Sequence, residues 1–182
     1  MVSNLAWGVL STTSTRSEGT SPGTAFGNPY SYADVDGVPY IYASDLDASM
    51  VDVFAKNATV GAASLALSEA ALKELDGSAT QPSCDIKNVQ ALGDPENPPC
   101  ARLVLSGAVS KVAVGTDEES RAKEALFARH PSFKHYPSGH SFYVAKLSLT
   151  GIWLINMFGA CGPPLIPACL LRPTLRCLLG FM

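Results

Sequence analysis

Charge is scarce in this sequence: only 16% of the 182 residues are Asp, Glu, Lys or Arg, and the 13 Lys and Arg are dispersed, for a formal net charge of -3. No face is built to neutralise a phosphate backbone, so direct binding of DNA or RNA is not expected. Gly-x-Ser-x-Gly, His-Glu-x-x-His, P-loop and dinucleotide fingerprints are all missing, and no strand ends in a glycine-rich turn feeding a helix. Met1 to Leu10 contains no basic residue and passes at once into Ser11-Thr12-Thr13-Ser14-Thr15, so no targeting segment is visible and the chain reads as starting inside a fold. The strongly apolar stretch near the C-terminus is broken by Pro163, Pro164, Pro167 and Pro173 and interrupted by Arg172 and Arg176, so no membrane span is expected.

What is present is hydrophobic residue, 47% of the chain, enough for one well-buried core. Leu5 to Thr15 alternates as a first strand, and Ser17 to Asn28 reads as a Gly/Ser/Thr/Pro linker. Asp36-Gly37 between Tyr30-Ser-Tyr-Ala-Asp and Val38-Pro-Tyr-Ile-Tyr42 is a hairpin signal, with Pro39 placing the second strand at an edge or making it start late. Asp45 or Asp47 can cap a short helix with Met50, Val53 and Phe54 on one face, and Thr59 to Leu67 follows as a strand. Ser68 to Pro99 reads as a surface insertion, and Ala101 to Val114 as a long strand bent or bulged at Gly107. Thr116 to Glu119 is a capping box that starts a helix running to about Arg129, with Ala122, Ala125, Leu126 and Arg129 on its packing face. About six or seven strands with two short helices, mostly antiparallel neighbours, favour a small closed or split β-barrel over a doubly wound sheet.

The segment from Leu126 to Gly159 organises the rest. It holds Arg129-His130-Pro131, a Pro/Gly-rich loop with all 3 histidines (His130, His135 and His140), and two apolar strands, Phe142 to Leu149 and Gly151 to Gly159, separated at Thr150-Gly151. Zinc ligands usually come in closer pairs with Cys or carboxylate partners, so the histidines are read as bonding loop carbonyls and no metal site is expected. No base stands beside any of the 5 cysteines to make a nucleophile, and no catalytic residue is assigned.

Arg-His-Pro, Pro-x-x-His, a Lys-Leu strand and an Ile-Trp strand closing on Phe-Gly, in that order, resemble the CREG family of secreted or lysosomal glycoproteins. The resemblance covers roughly Ala6 to Gly159, with gaps around Glu18 to Asn28 and Glu69 to Asp94. It implies a mainly β fold with short helices, the split barrel shared with the pyridoxamine-phosphate-oxidase-like, FMN-binding flavoproteins, usually a homodimer. It also implies one domain over residues 5–159, with Trp7, Phe142, Leu147, Trp153 and Ile155 facing the core. Residues 160–182 depart from the family; they read as translated through an exon boundary or in another frame, a poorly ordered Pro/Cys-rich tail that adds little to the fold.

Further expectations follow from the family. CREG-like chains carry a cysteine pair where Cys84 and Cys100 stand, and in an oxidising compartment a disulfide there would stabilise by about 3 kcal/mol. Asn57-Ala58-Thr59 is an N-glycosylation sequon on a helix-to-strand turn, meaningful if the protein enters the secretory route. The family implies a non-catalytic dimeric protein, extracellular or endolysosomal, with no cofactor and a pocket too occluded for flavin. The alternative is an FMN-dependent oxidoreductase, whose phosphate could be held only by Ser11, Thr13, Ser14, Arg16 and Lys56, a Ser/Thr run that is equally an ordinary exposed strand face.

Overall fold

Strand β1 (Trp7–Thr13) pairs antiparallel with β2 (Ala25–Ser31) along its whole length, Trp7 opposite Ser31 and Thr13 opposite Ala25. The computed structural model describes residues 1–72, 84, 95–96, 98–156 and 159–161. Residues 25–28, read from sequence as linker, are therefore strand. The β2 strand lies at the edge of the sheet, where the missing donor of Pro29 is tolerated.

Asp36 and Gly37 take φ of 54° and 82°, the left-handed pair that a two-residue hairpin requires, and join β3 (Ala33–Val35) to β4 (Val38–Ala43). Pairing of β4 with its other neighbour begins only at Tyr40, one residue after Pro39, as the missing proline donor dictates. Helix α1 (Ala48–Val53) is capped by Asp47, whose carboxylate accepts from Ser49 N at 2.8 Å, and it buries Met50 and Val53. A tight turn over Ala55–Asn57 leads to β5 (Val60–Ser68), and β6 (Arg102–Lys111) pairs with it from Ser68 opposite Arg102 to Val60 opposite Ser110.

Helix α2 (Asp117–Arg129) begins where its capping sequence places it. The Thr116 hydroxyl accepts from Glu119 N at 3.2 Å, while the Glu119 carboxylate reaches one residue further back, to Gly115 N at 2.7 Å. After two short helical turns, Pro131–His135 and Ser138–His140, comes β7 (Tyr143–Asn156), with β8 (Gly159–Cys161) paired to its end. Ala160 and Cys161, assigned from sequence to the tail, thus join the sheet through their backbone, while 162–182 lie outside the described residues. So does most of the 68–99 insertion.

The 8-stranded antiparallel sheet runs β2-β1-β5-β6-β7-β4-β3, with β8 on β7, and curls into a split β-barrel. Its interior is filled by Leu10, Ile41, Leu65, Leu103, Leu105, Val109 and Leu147, closed at one side by Met50 and Val53 of α1. A second core lies on the outer face of β3, β4 and β7, where α2 seats Ala122 and Leu126 on Ala33, Tyr40 and Val144.

Two expectations about β7 are corrected. It is one continuous strand, not two, and Trp153 lies on the surface, 43% exposed. Both have one cause. The register with β6 shifts between Ser106 and Gly107, Ser106 facing Gly151 and Gly107 facing Leu149, so Thr150 is an extra residue with no partner. Before it, Ala145, Leu147 and Leu149 point inward; beyond it the phase flips, and Ile152 and Leu154 pack on the core instead. Trp153 and Ile155 are carried to the outer side. Trp7 shares that outer face and is half-buried, as is Phe142, so of the five residues expected in the core only Leu147 is fully buried.

Candidate functional site

The residues proposed from sequence as a phosphate cradle do not converge. Ser11 and Thr13 alternate with buried Leu10 and Thr12 along β1 and so stand on its outer side. Ser14 is buried at 1% exposure, its hydroxyl bonded to Arg16 O and accepting from Arg16 N. Arg16 forms a two-point ion pair with Asp52 of α1, Nε to Oδ1 at 3.1 Å and Nη2 to Oδ2 at 3.0 Å, and lies over the Phe26 ring at 4.4 Å. Asp52 also accepts from the backbone and hydroxyl of Thr15. Burial alone would push its carboxyl up, but Arg16 and the two Thr15 bonds outweigh that and hold it below the ordinary aspartate range.

Lys56 lines a different feature, a cleft of about 750 Å³ whose walls include none of the other four. Lys56 and Asn57 both adopt left-handed backbone, φ 56° and 61°, on an exposed turn. Beside them Lys111 Nζ pairs with both oxygens of Asp45, at 2.7 and 2.8 Å, and sits over the Tyr143 ring at 4.0 Å. The Lys111 ammonium holds the Asp45 carboxyl below its usual range, and burial with the Asp45 hydrogen bond pushes the Tyr143 phenol up. Of the two lysines in this cleft, Lys111 is thus already charge-paired.

Of the loop histidines expected to bond carbonyls, His130 does so: its Nε2 is 2.9 Å from Tyr32 O and its ring stacks on Phe133 at 4.8 Å. His135 and His140 are exposed, and their rings make no such bond among the described residues. Arg129, preceding His130, donates to the backbone carbonyls of Leu5 and Ser3 and ties the end of α2 to the start of the chain. Among the described residues no group of three or more His, Cys, Asp or Glu could hold a metal ion, and no helix is long and apolar enough to cross a membrane.

Against this loop the fold forms an aromatic pocket of about 380 Å³ that sequence reading missed. Tyr42 of β4 stacks on Phe142 at 5.1 Å, and Tyr136 joins them, 5.0 Å from Phe142. Tyr30 of β2, Asp47 and His140 complete the wall. No local signal in the sequence marks it, because its lining residues come from separate elements.

Cys84 and Cys100 are bonded as a disulfide, with Cα atoms 4.6 Å apart. Asn57 is exposed, on the turn before β5.

A model of the family described as CREG, beta-barrel matches residues 1–168, past the Gly159 at which the sequence resemblance was drawn. Protein CREG1 of Gallus gallus is 33% identical over 163 residues, covering 86% of this chain and 74% of that protein. Protein CREG1 of Homo sapiens is 32% identical over 165 residues, covering 88% of this chain and 64% of that protein, so the chain spans less than two thirds of the human relative. Among solved structures, a heme-binding protein from Mycobacterium smegmatis superposes with a TM-score of 0.60 at 20% identity, over 86% of this chain and 51% of that one, a likeness of fold. With its strands curled into a split barrel and the family model running over most of its length, the chain belongs to the CREG β-barrel family.

Proposed function

We propose that this chain is a non-catalytic binding protein of the CREG type, working as a homodimer in the secretory or endolysosomal route. The observation that carries the reading is the Arg16–Asp52 pair. Of the five side chains available to hold a flavin phosphate, the arginine is spent on a buried carboxylate, Ser14 is sealed at 1% exposure, and Lys56 lines another cleft. These residues do not fit the phosphate of FMN, and no redox step is derived through a flavin. The second reading, a cofactor carrier, draws support from the fold likeness to a heme-binding protein.

A second copy finds apolar surface on the outer face of the sheet. Val9, Ala66, Val104 and Trp153 lie side by side across β1, β5, β6 and β7, all wholly or partly exposed. A two-fold contact would place this band against itself. The Cys84–Cys100 disulfide suits an oxidising compartment, and the exposed sequon at Asn57 suits a glycan there.

Sedimentation equilibrium of the wild type and Trp153→Glu tests the dimer: the wild type is expected to be dimeric and the variant monomeric with unchanged circular dichroism. A monomeric wild type contradicts the dimer, and a cofactor spectrum in the purified protein contradicts the non-catalytic reading. Expression through a secretory host with glycosidase treatment tests Asn57, and an unshifted mass removes the glycan from the account.

A further inference from the structure

The aromatic pocket is not used by the reading above, and its chemistry is unbalanced. Asp52 is paired with Arg16, Asp45 with Lys111, Glu118 with Lys146 and Glu119 with Lys123, whereas half-buried Asp34 and Glu69 carry no ion pair among the described residues. Asp47 is likewise half-buried, in the pocket wall, with no Lys or Arg paired to it among the described residues, and its carboxylate accepts from Ser49 N at 2.8 Å. Behind it the Tyr30 hydroxyl is buried beside Asp47 and Ser49, on a side chain only 9% exposed. Burial, then the neighbouring Asp47 carboxylate, pushes the Tyr30 phenol far above its ordinary value, which keeps it neutral and leaves Asp47 as the one carboxylate among the described residues of the wall.

Beside Pro29, Ser31, Ala43, Ser44, Leu46 and His140, the wall carries a cluster of aromatic rings. Tyr42, Tyr136 and Phe142 are each partly or well exposed, Tyr136 at 42%, and they touch one another at centroid distances of 5.0 Å to 6.4 Å. Ring faces carry negative quadrupole potential, which attracts a cation most strongly where water is excluded.

We propose that this pocket binds a small organic cation of the quaternary ammonium class, held against Tyr136 and Phe142, which Tyr42 backs by stacking on Phe142 and Phe133, with Asp47 as counter-charge. An alkylated ammonium fits better than a primary one, because it needs no acceptors for N–H groups where one oxygen of Asp47 is engaged by Ser49 and the Ser44 hydroxyl already donates to His140 O at 2.6 Å. A neutral sugar fits worse for the same reason, since its hydroxyls need several converging polar partners. The volume of about 380 Å³ lies at the small end of ligand pockets, suited to a head group rather than a long molecule. The site is independent of dimerisation and of the flavin question.

Choline chloride is the probe, titrated by calorimetry into the purified full chain, with its uncharged carbon isostere dimethylbutanol and with glucose as parallel arms. Saturable choline binding with a dissociation constant of about 1 mM or tighter is expected, with the isostere and glucose at least about fivefold weaker. Asp47→Asn removes the charge and keeps an equally good helix cap, so it should weaken choline about fivefold or more while leaving the melting temperature in place. Tyr136→Leu, at an exposed position, should do the same. Absence of saturable choline binding, equal binding of the isostere or glucose, or wild-type affinity in both variants each overturns the proposal.

Discussion

Arg16 and Asp52 stitch the end of the first strand to the first helix, and they do so with the carboxylate wholly buried and the guanidinium 20% exposed. A buried charge that loses its partner costs more than the pair was worth, because the survivor remains desolvated. Arg16→Met is therefore expected to lower unfolding free energy by about 3 kcal/mol. Asp52→Asn keeps the Thr15 contacts within reach and should cost less. The pair also sets an acid limit. The folded carboxyl titrates below its unfolded value, so the stability it contributes is fully present above about pH 4 and is lost as pH falls through the depressed folded value. Asp45, Glu118 and Glu119, likewise depressed, act in the same direction. Denaturant melts across acid pH should show the wild type losing stability below about pH 4, and Arg16→Met losing less of it; parallel slopes in the two proteins would remove the pair from the acid response.

Gly107 sits where the register shifts, and a Cβ built there would lie 2.1 Å from Ser148 O, a backbone atom that cannot swing away. Gly107→Ala should cost about 2 kcal/mol or more in chemical denaturation. Gly151→Ala, whose added carbon meets only Ser106 Cβ at 3.8 Å, should cost much less. Equal effects at the two positions would show that the bulge is not fixed by Gly107.

Cys84 and Cys100 close a loop with a sequence separation of 16. Replacing both by Ser should lower stability by about 3 kcal/mol in the loop-entropy account. Thermal melts with and without reductant check it: the wild type should shift down in reductant and the double variant should not move.

Much of this architecture was legible in the residues. The Asp36-Gly37 hairpin, the Asp47 cap and the Thr116 start of α2 follow from local chemistry that needs no partner: left-handed backbone at Asp-Gly, side-chain acceptors for orphan helix donors. What failed was long-range. Alternation on a strand that the family resemblance places centrally points Trp153 inward with Leu147, and the unpaired Thr150 between them reverses the phase, which only the register against β6 reveals. Residues 25–28 looked like linker because an edge strand bearing Gly27 and Pro29 has little propensity of its own and is held by β1. Arg16 was weighed as a free cation because Asp52 stands 36 residues away in the chain. The aromatic pocket was invisible for the same reason: Tyr30, Asp47 and Tyr136 come from three separate elements.

Titration of FMN into the purified protein, followed by flavin fluorescence, tests the central claim most directly. With Arg16 committed to Asp52 and Ser14 sealed beneath it, the account predicts no saturable quenching. Saturable quenching with a dissociation constant of about 1 μM or below would contradict it, and would mean that a phosphate is held by groups other than Ser11, Thr13, Ser14, Arg16 and Lys56 as they stand here.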